Sequence, residues 1–141
     1  MRVAIAIVFI WAGFILSISF FESWVKFRAA GVTLPAALSI GKLVFTILNR
    51  IEWVFLLVLM VSVVISKTQV MQGSLLYILV SIVLVLALQT FWLLPELNVR
   101  AVSRINGLKV AASNLHHYFV CAEVVKLISL ISIGTKFFKL L

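Results

Sequence analysis

Residues 114–126 read N-L-H-H-Y-F-V-C-A-E-V-V-K and place His116, His117, Glu123 and Lys126 in a helix-length segment that is otherwise mostly apolar. A charged side chain near the centre of a bilayer costs at least ~2.5 kcal/mol on insertion scales, so such groups point to a function or to pairing. Imidazole titrates near neutrality and ligates metals, which makes His116 and His117 candidates for a metal or haem ligand, or for a proton relay with Glu52 or Glu123. Adjacent histidines on a helix diverge by about 100°, and the i, i+4 spacing of helical zinc sites is absent. The plainer reading is a pair of interfacial histidines at a helix start, satisfied by water or backbone.

Glu123 and Lys126 stand three residues apart and can pair along one helix, each offsetting the other's desolvation. That pair is either part of a proton or cation path or a self-neutralised device that fixes packing. Arg50 and Glu52, two apart, face different ways on a straight helix, so each needs a partner from another helix, a headgroup or water. Glu52 and His116 are expected to approach one another, with Gln89 or Glu96 nearby.

Four apolar stretches must position these groups, at about residues 3–21, 40–66, 74–94 and 114–134. Each is long enough to cross about 30 Å of hydrocarbon as a helix. In the first, Ala6, Gly13 and Ser17 are small residues that would let another helix come close. Its length and the bulky Phe20, Phe21, Glu22 and Trp24 argue for a retained span over a cleaved leader. Thr33 is placed to cap the second helix, with Pro35 in its first turn, so that helix begins before the membrane does. Lys42, Thr46, Asn49 and Trp53 fall near one face of it. A polar hairpin is expected over residues 67–73. Pro95 is expected to close the third helix, with Glu96 on the face of Gln89, and residues 99–105 as a short helical extension before an Asn106-Gly107 turn. Ser113 or Asn114 caps the fourth.

With 65% hydrophobic residues, 11% charged residues and a mean hydropathy of +1.28, the chain is too apolar for an ordinary soluble domain. The fold expected is all-α, a polytopic membrane protein forming one antiparallel bundle of four transmembrane helices over residues 1–141. The net charge of +8 comes from cations spread singly between apolar segments, which suits membrane flanks and excludes a nucleic-acid stripe. All four acids are glutamates, Glu22, Glu52, Glu96 and Glu123, one in or beside each apolar segment. The lone Cys121 excludes an internal disulfide and a cysteine metal cluster. No nucleophile elbow, phosphate loop or H-E-x-x-H motif is present, so hydrolase and nucleotide chemistry lack support. Trp11, Trp24, Trp53 and Trp92 read as interface anchors or core packing.

A first helix ending in F-F-E, G-K-L-V-F-T-I-L-N over residues 41–49, L-Q-T-F-W-L-L-P-E-L-N-V-R-A over residues 88–101 and L-H-H over residues 115–117 together resemble the transmembrane-protein-205-like family of small four-helix membrane proteins. The resemblance covers nearly the whole chain and implies the four-helix membrane fold, with no activity or cofactor attached. The family pattern has a proline near Glu22 and often an asparagine near Glu123, and this chain departs from it at both.

Two functions of different class are consistent with these residues. One is a structural or accessory membrane subunit whose polar half-bundle docks a partner or lipid headgroups, the bilayer itself being one partner and a homo-oligomer or a second membrane protein others. The other is a ligand-handling protein, a transporter component or a haem, quinone or metal protein, using Glu52, His116, His117 and Glu123, with Arg50, Gln89, Glu96 and Lys126 as charge partners. No cofactor is required by the residues. The expected location is a bacterial inner membrane with both termini outside, because Lys26, Arg28, Lys42, Arg100, Arg104 and Lys109 gather on one side against Arg2, Lys67, Lys136 and Lys139 on the other.

Overall fold

The computed structural model describes residues 2–66 and 73–139, which are helical with short connections. Among the described residues four helices are long and apolar enough to cross a membrane: α1 (Arg2–Val25), α2 (Leu34–Ile65), α3 (Ser74–Ile105) and α4 (Leu115–Lys139). The hairpin expected over residues 67–73 lies, apart from Gly73, outside the described residues.

Helix boundaries follow local chemistry. Thr33 adopts an extended conformation and its hydroxyl accepts from the Ala36 amide at 3.4 Å, with Pro35 in the first turn, where a missing N–H is harmless. Ser113 Oγ accepts from the Leu115 amide at 3.2 Å at the start of α4. The Asn106-Gly107 turn ends α3, and Gly107 has φ +76°, a left-handed conformation that costs a residue with a Cβ.

Pro95 does not close α3. A π-type turn over Gln89–Leu93 precedes it, and the helix runs on through Leu94–Ile105. Wider i→i+5 turns absorb local conflicts in backbone hydrogen bonding, here ahead of a residue that cannot donate. The turn carries roughly one extra residue, which rotates the C-terminal part of the helix by about 100°. Gln89 is therefore buried while Glu96, expected on its face, is exposed. A second π segment, Leu16–Glu22, ends the apolar run of α1.

α1 packs against α2 and α4, and α3 packs against the same two helices, so the four surround one core. Trp11, Ile15, Leu59, Ile82, Leu86 and Leu130 are among its fully buried members. The outer surface is also apolar, with Leu57, Val64, Tyr77 and Phe91 largely exposed. The small residues expected at a close contact, Ala6, Gly13 and Ser17, face outward instead, and a Cβ added at Gly13 would meet nothing within 4 Å. The close approach is made at Gly134 of α4, where an added Cβ would come within 2.9 Å of Phe9 and 3.2 Å of Val8 on α1.

Candidate functional site

One side chain or more from every helix meets in the middle of the core. Trp11 of α1, Glu52 of α2, Gln89 of α3, and Glu123 and Lys126 of α4 are each at most 1% exposed. Trp11, Glu52, Gln89 and Lys126 all lie close to the midpoints of their helices. Lys126 occupies the centre: its ammonium contacts Glu52 Oε1 and lies 3.1 Å from Glu123 Oε1. Glu52 Oε1 also accepts from the Trp11 indole N–H at 3.0 Å. Glu123 Oε1 also accepts from Gln89 Nε2 at 2.7 Å.

The cluster carries two carboxyl groups and one ammonium, and two of its acceptors, Glu123 Oε2 and Gln89 Oε1, are buried with no hydrogen-bond partner among the described residues. In a low-dielectric interior a satisfied network fixes its members strongly, and unsatisfied members are correspondingly expensive. The arrangement can therefore do two things chemically: hold four helices in one register, and hold a proton.

A second polar contact joins α2 to α3. The Thr90 hydroxyl accepts from the Trp53 indole at 3.0 Å and stands 3.1 Å from Asn49 Oδ1. Of the face expected on α2, Asn49 and Trp53 thus point inward, whereas Lys42 is exposed.

The histidines belong elsewhere. His116 lies seven residues before Glu123, about 10 Å along the helix at 1.5 Å per residue. Leu93, Leu94 and Phe119 form a packed apolar layer with Phe45 nearby, and Phe45 and Phe119 meet edge to face at 5.1 Å. The expected approach of Glu52 and His116 is not made, because this layer fills the space and Glu52 finds its donors in Trp11 and Lys126. The two imidazoles sit 6.3 Å apart at 69°, and His117 is exposed. Arg50 is exposed, away from Glu52. Among the described residues no group of three His, Cys, Asp or Glu side chains could hold a metal ion.

His116 instead lines a cleft of ≈ 170 Å³ between the ends of all four helices, with an apolar floor that includes Phe45, Leu97 and Phe119. Lys26 and Lys42 also line it. Lys26 is nearly buried, pairs with Glu22 Oε2 at 3.1 Å and sits 5.1 Å from the Phe45 ring centroid. An adjoining groove of ≈ 320 Å³ shares His116, Phe27, Leu38 and Leu97 and adds Arg100 and Arg104. Arg100 also donates to the Ala111 carbonyl at 2.9 Å, which fixes the α3–α4 connection beside the groove.

Sequence reasoning misses Trp11 and Thr90 as members of polar contacts. The signal is present for Trp11: an indole N–H in an apolar helix needs an acceptor, and few exist in this chain. No family model, curated protein or solved structure matches the chain.

Proposed function

We propose that the chain is an integral membrane protein, an antiparallel bundle of four transmembrane helices, and that it serves as a structural or accessory component that docks anionic lipid headgroups. The observation that carries this reading is the cleft and groove, where an apolar floor is rimmed by Lys42, Arg100, Arg104 and His116, with the Glu22-paired Lys26 in the wall. Phosphate is attracted by the lysine and arginine cations, and an acyl chain suits the floor between them. The apolar outer surface and the length of the four helices support burial in a bilayer.

The same end of the protein bears Lys26, Arg28, Lys42, Arg100, Arg104 and Lys109, which by the positive-inside rule puts it in the cytoplasm, beside the anionic leaflet. Both termini then lie outside. A reporter that is active only in the cytoplasm should be silent when fused to the C-terminus, and activity there would reverse the orientation.

Headgroup selection is measured by native mass spectrometry of the detergent-solubilised protein titrated with phosphatidylglycerol or phosphatidylcholine. Phosphatidylglycerol should be retained preferentially. Replacing both Arg100 and Arg104 by Gln should weaken its retention by about tenfold or more, at ~1 kcal/mol per cation. Equal retention of the two lipids by the unaltered protein would defeat the reading.

A further inference from the structure

We infer that the buried network retains one proton, held by Glu123 as a neutral carboxylic acid against Gln89, while Glu52 is the ionised partner of Lys126. Charge decides the number. One ammonium balances one carboxylate, and a second, unbalanced carboxylate at this depth is costly.

Geometry decides the seat. Glu52 Oε1 receives two donors, the Trp11 indole and the Lys126 ammonium, as an ionised oxygen would. Glu123 receives Gln89 Nε2 and Lys126 on Oε1, and its Oε2 has no donor among the described residues. Gln89 Oε1 likewise lacks a donor. A proton on Glu123 Oε2, directed to Gln89 Oε1, gives both atoms a partner at once. Acid and amide then form a two-bond pair, with N–H donating to the acid carbonyl and O–H donating to the amide carbonyl. Only the terminal torsions of two planar groups need adjust, and these are soft. The charged groups of the network are Lys126 on the same helix and Glu52 on α2, while α1 and α3 present Trp11 and Gln89, which do not titrate.

This inference does not depend on lipid docking. It is tested by infrared spectroscopy of the full chain in lipid at neutral pH, with glutamate carboxyl carbons labelled with ¹³C to identify their bands. One carboxylic-acid C=O band that moves with the label is expected. It should disappear in Glu123→Gln, and also in Glu52→Gln, because Glu123 must then ionise to pair with Lys126. It should persist in Glu22→Gln and Glu96→Gln. Gln89→Leu keeps the acid but removes its partner, so the band should move to higher frequency, which keeps the test open if a glutamate variant does not fold. Absence of the band in the unaltered protein, its survival in Glu123→Gln, or a response to Trp11→Phe instead of Gln89→Leu would each overturn the inference.

Discussion

The double variant Glu52→Gln, Glu123→Gln is expected to lose about 3–5 kcal/mol of stability in detergent, the range for leaving one member of a buried pair unpaired. Either single substitution should lose only about 1 kcal/mol, comparable with one net hydrogen bond. Lys126 touches both carboxylates and is fully buried, so either one can serve as its counterion when the other is made neutral. Glutamine matches glutamate in shape, and Glu123→Gln would reproduce the neutral side chain that the site already holds. Removing both carboxylates leaves a buried ammonium with no counterion among the described residues. Thermal unfolding of the four proteins checks this, and additive losses would show that the carboxylates do not substitute for one another.

Lys126→Leu is the second large effect, again about 3–5 kcal/mol, because it strands Glu52 with the Trp11 indole as its one remaining donor among the described residues. Adding Glu52→Leu should recover much of the loss, since a buried ion pair replaced by apolar groups of similar volume is often neutral or stabilising. Adding Glu123→Leu instead should recover less, because Glu52 still lacks an ammonium. The comparison matters because sequence spacing alone singles out Glu123, three residues away on the same helix, as the partner of Lys126. The structure adds Glu52 from across the core. Chemical or thermal denaturation of these variants ranks the two carboxylates.

Much of the helical framework is legible in the residues. Apolar length marks the four helices, Thr33 and Ser113 mark two starts, and Asn106-Gly107 marks an end. Other features are hidden for a physical reason. A π turn leaves no plain signature, yet it moves Glu96 off the face of Gln89 and carries the helix past Pro95. The separation of His116 from Glu52 depends on how Phe45 and Phe119 fill the layer between them, which periodicity on single helices does not encode. Small residues on α1 suggest a packing seam, but which face of an almost uniformly apolar helix turns inward is set by its neighbours.

The Lys126-centred network is tested most directly by solid-state NMR of the protein in bilayers, with ¹⁵N at lysine Nζ and ¹³C at glutamate Cδ. Lys26 and Glu22 contribute one nitrogen–carboxyl contact of their own, which Glu22→Gln removes. In that background a lysine ammonium should remain dipolar-coupled to two glutamate carboxyl carbons, and Glu52→Gln should remove one of them. A Lys126 nitrogen coupled to Glu123 alone, or to no carboxyl carbon, would contradict the network.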